Sequence, residues 1–220
     1  VIFDKYSYAN YPGVCHIIPN TAIMIMAMVY GDNDFSKTLT MLCECGWDTD
    51  CTCGNVGSIM GALVGIKAID EKWITPIQDL LISSSAIGSL NLDTVSETAL
   101  YFASLAAKLN EIEIDEKYKR ILSAKETISF FDLPYGTQGF QTKENRYSSV
   151  QLKCDDSALK CIVAQGFPHK TGRIYKKTYF VPEEVYDARY QPSMSPRLYP
   201  GETICFTLSN PRNLPLKMRV

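Results

Sequence analysis

The chain has 220 residues, 46% of them hydrophobic and 21% charged, with a formal net charge of −2, a composition that suits a globular protein and excludes a disordered or fibrous one. No run of eighteen apolar residues occurs, which argues against a helical membrane span, and no dense Lys/Arg run occurs, which argues against nucleic-acid binding. Charge is unevenly divided: residues 1–110 hold 5 Lys+Arg against 11 Asp+Glu, and residues 111–220 hold 17 against 13.

The first fourteen residues are rich in Tyr, Asn, Pro and Gly and read as loop; the chain opens at Val1 without an initiator Met, and a preceding segment is expected. Ala22 to Tyr30 is apolar on every face and reads as a buried core helix closed by Gly31. His16 just before it reads as a hydrogen-bonded structural residue. Asp34 is the expected cap of a helix running to Gly46.

Gly46-Trp47-Asp48-Thr49-Asp50-Cys51 follows, and runs directly into a helix with Gly57, Gly61 and Gly65 in register. Two carboxylates with a hydroxyl between them are hard oxygen donors of the kind Mg accepts, and a helix N-terminus favours their charge. The alternative is that Asp48 or Asp50 only caps the helix. Glycine costs about 1 kcal/mol in a helix interior, so three on one face predict close approach of a neighbouring helix there, and Gly61→Leu is expected to overpack it.

This stretch resembles the C-terminal metal motif of the ADP-ribosylglycohydrolase family, all-α enzymes that hydrolyse ADP-ribose from modified side chains with two Mg ions. The resemblance covers roughly residues 15–110. It implies that Asp48 and Asp50 are metal ligands, with Thr49 and Cys51 as further candidates, and that the cofactor is Mg, with Mn as substitute. Many members place a threonine after the second Asp, where this chain has Cys51; a thiol suits Mg poorly. The family's acidic Thr-Asp-Asp cluster has no counterpart before Gly46, so the catalytic residues and the other half of the metal site are expected in a missing N-terminal segment. The 220-residue chain alone is then expected to be inactive. The implied partner is an ADP-ribosylated protein or an ADP-ribose-like small molecule.

Cys43, Cys45, Cys51 and Cys53 form a C-x-C pair of pairs whose spacing fits zinc knuckles poorly; they read as small buried residues in a reducing, cytoplasmic setting, while Cys15, Cys154, Cys161 and Cys205 are dispersed among apolar or strand-like contexts. Pro76 is expected to open a helix through Ile82. Thr94 and Glu97 form a capping box ahead of Ala99 to Leu109, and a last helix is expected over 116–122.

Beyond it the pattern turns strand-like at 127–131, 149–154, 159–163, 173–180 and 203–208, separated by turn signals. The expected fold class is therefore α+β in two domains: residues 1–122 as an all-α bundle, the C-terminal portion of an ADP-ribosylglycohydrolase-like domain, and 123–220 as an all-β sandwich accessory domain. Tyr186, Tyr190 and Tyr199 are expected as its ordinary core and rim aromatics, the alternative being exposed rings that stack on a sugar. Two functions compete: a Mg-dependent hydrolase releasing ADP-ribose or a related ribosyl group, and a catalytically inactive binding or scaffold protein of the same fold.

Overall fold

A computed structural model describes residues 1–143, 150–155, 157–163 and 172–217. The chain is α+β. By contacts it divides into two compact units, residues 1–81 with 93–177, and residues 82–92 with 178–220. No helix among the described residues is long and apolar enough to cross a membrane.

The first unit opens with α1 (Ile2–Tyr6), α2 (Ile17–Tyr30), α3 (Phe35–Glu44) and α4 (Thr49–Val64). α2 begins five residues before the expected Ala22 and runs through Pro19 in its first turn, where a proline's missing N–H removes no intrahelical bond. α3 starts where Asp34 predicts, its carboxylate accepting from Lys37 N at 2.6 Å. The core lies where the three longer helices meet: Ile23 and Ala27 of α2, Leu39 and Leu42 of α3, Val56 and Met60 of α4.

α2 is not buried all round as its composition suggests. Ile23 and Ala27 are buried, but Ile17, Ile18, Ile25 and Val29 on its other faces stay exposed. The glycine stripe of α4 is also displaced from its buried face, which is Thr52, Val56 and Met60. A Cβ on Gly57 would meet Leu39 Cδ2 at 3.9 Å and one on Gly61 would meet Ile69 Cδ1 at 3.9 Å. Both are ordinary contacts, so the expected backbone approach does not occur. Gly61→Ala is therefore expected to stabilise the fold, by about 0.5–1 kcal/mol from the removed glycine cost, read as a rise in the denaturant midpoint at unchanged slope.

After α5 (Glu71–Ile74) the helix expected from Pro76 to Ile82 stops after one 3-10 turn, Thr75–Ile77. Gln78 and Asp79 both take positive φ, 54° and 51°, and that left-handed turn cannot continue a helix. β1 (Leu81–Ile82) and β2 (Leu92–Asp93) are two residues each. α6 (Val95–Leu109) starts at its predicted cap, Thr94 Oγ1 accepting from Glu97 N at 3.1 Å, and α7 (Glu116–Ser123) is capped by Asp115.

The strands of this unit are β3 (Phe140–Thr142), β4 (Val150–Asp155), β5 (Ala158–Val163) and β6 (Ile174–Lys176). They form two antiparallel ribbons, β4 with β5 in the register Val150↔Val163, and β3 with β6 in the register Phe140↔Lys176. The expected β-sandwich over 123–220 does not form among the described residues. Residues 127–131 do not pair as a strand, and the Gln138 side chain takes two of their donors: Oε1 accepts from Phe130 N at 2.7 Å and Phe131 N at 3.4 Å.

In the second unit, Asn91 is fully buried and ties two segments together, its Nδ2 donating to Ser85 O (2.9 Å) and Ser193 O (2.7 Å). Arg197 Nη1 donates to Leu92 O at 3.2 Å. Residues 203–208 alternate like a strand but belong to none; Ile204, Phe206 and Leu208 are exposed. Alternation needs a partner strand before it becomes a ladder. α8 (Pro182–Val185) is one turn, and Tyr186, Tyr190 and Tyr199 are exposed rather than core.

Candidate metal centre

α3 ends at Cys45, and Gly46 turns the chain with φ 69°, the left-handed conformation that closes many helices. Trp47 then lodges beside Phe3 and Tyr8, ring centroids 5.5 and 5.1 Å away, with the His16 ring tilted against Tyr8 at 5.0 Å. This aromatic wedge fixes the entry to α4, whose N-cap residue is Asp48.

A capping aspartate normally turns its carboxylate onto the free N–H groups of the first turn. Asp48 makes no side-chain cap bond. Its Oδ2 instead accepts from Asn20 Nδ2, on the first turn of α2, at 2.9 Å. Cys15 and Cys51 complete the group: one ligand atom from each of Cys15, Asp48 and Cys51 lies within 4.8 Å of the others. Asp48 therefore stands at the cap position without bonding the first turn.

The electrostatics follow from that contact. Hydrogen bonding to the Cys15 thiol, and then to Asp50, Cys51 and Asn20, holds Asp48 below the usual carboxylate range despite desolvation. The reciprocal effect of Asp48 raises Cys15 and pushes Cys51 up to about 11. At neutral pH the group is one carboxylate facing two protonated thiols.

Of the sequence-predicted ligands, Asp48 and Cys51 come together, Asp50 stands exposed on the first turn of α4, and Thr49 is its half-buried first residue. Cys15 and Asn20 carried no sequence signal: they stand 33 and 28 positions before Asp48, and only the docking of α2 on α4 brings Asn20 to it. Cys15 sits at φ 59°, a conformation a non-glycine residue adopts at some cost.

The four-cysteine set does not converge. Cys43 Sγ lies 3.4 Å from Cys53 Sγ, Cys45 Sγ donates to Met41 O, and Cys51 faces Asp48. Nor are these residues core: Cys43 and Cys51 are exposed and Cys45 and Cys53 half-buried, because the buried stripes pass through Thr38, Leu39 and Leu42 on α3 and Thr52, Val56 and Met60 on α4. All eight cysteines are free. His16 Nε2 bonds Pro12 O at 3.2 Å, the structural role expected of it.

The family model for ADP-ribosylglycohydrolase matches residues 4–115, just over half of the chain, spanning α1 to α6 and the whole cluster. The chain belongs to the ADP-ribosylglycohydrolase family. Comparison with curated proteins and with solved structures gives no match. An ADP-ribosylglycohydrolase is a glycosidic hydrolase of the kind that acts on ADP-ribosylated substrates, and the family usually binds divalent metal. The donor set here answers that requirement only in part. Mg takes oxygen ligands in near-octahedral geometry, whereas two of the three ligand atoms gathered here are sulfur, so the assembled group does not fit Mg.

Proposed function

We propose that the protein hydrolyses the glycosidic bond of an ADP-ribosylated protein or a related ribosyl compound, and that this chain carries one half of a divalent-metal site built on Asp48. The observation that carries the reading is the Asp48 carboxylate, turned away from the helix it caps and held by Asn20, inside the segment that matches the family. Asp50, two residues further on and exposed, is the second carboxylate available to a bound cation or to the substrate's ribose hydroxyls. The two Mg ions that the motif implies, or Mn, are its expected occupants by resemblance; the thiols beside Asp48 suit a softer ion, so no catalytic step is assigned to Mg.

Within this reading each residue has a limited task. Asn20 orients the Asp48 carboxylate by its 2.9 Å hydrogen bond, Trp47 and Tyr8 fix the turn before α4, and the negative charge of Asp48 and Asp50 lies at the positive end of the α4 dipole. The general acid or base is not assigned to any of these residues. A cytoplasmic setting is proposed with it, since eight free cysteines suit a reducing compartment.

The test is release of free ADP-ribose from a modified peptide by the full-length protein, with and without chelator. Asp48→Asn is expected to lower the rate by more than 100-fold, because loss of even an outer-shell partner costs roughly 10–100-fold. Asn20→Ala is expected to fall within that outer-shell range. The 220-residue chain alone is expected to release none. The second reading, a binding or scaffold protein, draws on Cys51 in place of the family's threonine and on the lack of a second cluster among the described residues. Tight ADP-ribose binding with no release under Mg, Mn or Zn selects it.

A further inference from the structure

The group at the start of α4 has the wrong donors for a hard ion and the right ones for a thiophilic one. Two thiols and one carboxylate converge, from three separate places in the chain: the loop before α2, the N-cap of α4 and its first turn. In a tetrahedral site with bonds of about 2.0–2.3 Å, neighbouring ligand atoms stand roughly 3.3–3.8 Å apart. Atoms already within 4.8 Å reach that spacing by side-chain adjustments of about an ångström.

A second observation points to the same spot independently of the sulfurs. Asn20 is 7% exposed, and its Oδ1 has no hydrogen-bond partner although its Nδ2 donates to Asp48. A buried amide left half-satisfied is costly, and this one is the side chain that holds the Asp48 carboxylate. Cys15, for its part, is held in left-handed backbone at φ 59° with its thiol against Asp48.

We propose that Cys15, Asp48 and Cys51 bind one thiophilic divalent cation of the Zn(II) or Co(II) class, with Asn20 positioning the carboxylate. The inference deepens the proposed function and rests on its assignment of Asp48 as a metal ligand. Binding displaces the two thiol protons to solvent, so two thiolates and a carboxylate meet a charge of +2. Three protein ligands leave one tetrahedral position for a non-protein ligand, the pattern of catalytic rather than structural zinc. Sulfur donors select such an ion over Mg by softness and over Mn by the Irving–Williams order. Cys51 at the position where the family often has threonine then marks a change of metal, and Cys15 supplies the second sulfur.

The test uses the metals themselves on the purified 220-residue chain. Titration with Co(II) is expected to give a thiolate-to-cobalt charge-transfer band saturating at one equivalent. Cys15→Ser and Cys51→Ser are each expected to weaken Co(II) binding at least tenfold and to remove most of the band, while Cys43→Ser leaves it intact. A second measurement needs no variant: Zn(II) is expected to slow iodoacetamide alkylation of wild-type Cys15 and Cys51 at least tenfold, mapped by peptide mass, and excess Mg is expected to leave it unchanged. Equal alkylation with and without Zn(II), or a full cobalt band in Cys15→Ser, overturns the proposal. ADP-ribose release supported by Mg without thiolate binding sinks the metal assignment and keeps the hydrolase; a thiolate band in a protein inert on every ADP-ribosylated substrate does the reverse.

Discussion

Asp79→Ala is expected to destabilise the protein by about 3–5 kcal/mol, the largest loss from any single polar side chain in the first unit. Asp79 is 6% exposed and accepts three hydrogen bonds, from Ser96 N at 2.8 Å, Ser96 Oγ at 2.7 Å and Gln138 N at 2.6 Å. Truncation leaves three buried donors without a partner, and each such group costs about 1–3 kcal/mol, only partly relieved by relaxation. The damage spreads along the chain. Gln138 is itself fully buried and satisfies Phe130 N, so Asp79 is the point through which the segment 126–138 is held to the start of α6. Equilibrium urea unfolding of wild type and variant decides the matter; a loss under 1 kcal/mol means that water replaces the carboxylate and the node is not a tie.

The same residue gives wild-type stability a pH signature. Burial raises the Asp79 pKa above its ordinary 3.8, and the bonds from Ser96 and Gln138 offset that only in part. With the folded pKa above the unfolded one, the native state holds more protons in the interval between them, so this residue's contribution falls as pH rises from about 3.8 through the folded value. Below the interval the contribution is fully present; above it the decrement is constant. Asp48 has the opposite sign, since its lowered pKa stabilises the fold at higher pH and that contribution is lost as pH falls through the lowered value. Asp79→Asn, which cannot ionise, is expected to flatten the first of these slopes.

The sequence is most readable where one local signal suffices. Asp34 and Thr94 announce helix starts by side-chain chemistry within three residues, and each caps as expected. The 46–65 motif gives the family from a ligand pair and a patterned helix, and the family match covers it. What fails is whatever depends on a distant partner. The alternation at 127–131 and at 203–208 is real, yet Gln138 captures one set of backbone donors and no strand takes the other among the described residues. The glycines of α4 look like a contact face because their spacing is helical. The contact runs instead through Thr52, Val56 and Met60, one position before Cys53, Gly57 and Gly61.

The site divides in the same way. Asp48 and Cys51 are three residues apart in sequence and stand together in the fold. Cys15 and Asn20 reach Asp48 only because α2 starts earlier than its hydrophobic run, which carries Asn20 into a helix and sets His16 as its N-cap residue. That extension passes through Pro19, a residue that sequence reasoning takes as a break and that the first turn of a helix tolerates. The position of one proline thus separates a two-residue acidic motif from a four-residue cluster.

Gly31→Ala is the second large effect, expected to cost about 2–4 kcal/mol, near and above the usual 1–3 for overpacking. Gly31 closes α2 at φ −79°, so backbone strain has no part in the argument. Space has: an added Cβ would lie 2.0 Å from Thr38 Oγ1, 2.9 Å from Thr38 Cβ and 2.7 Å from Ala27 O. Thr38 is fully buried, and its hydroxyl donates to Asp34 O at 2.7 Å, so it does not swing away without losing that bond. Ala27 O belongs to the helix backbone and cannot move alone. The two helices must separate near the turn, where Ala27 and Thr38 are fully buried. Thr38→Ala in the Gly31→Ala background removes the 2.0 Å conflict and keeps the one with Ala27 O, so the double variant is expected to recover part of the stability rather than all. A double-mutant cycle by urea denaturation measures the coupling; full additivity of the two losses would mean that the added methyl meets only the α2 backbone, and that the turn between α2 and α3 is looser than its geometry indicates.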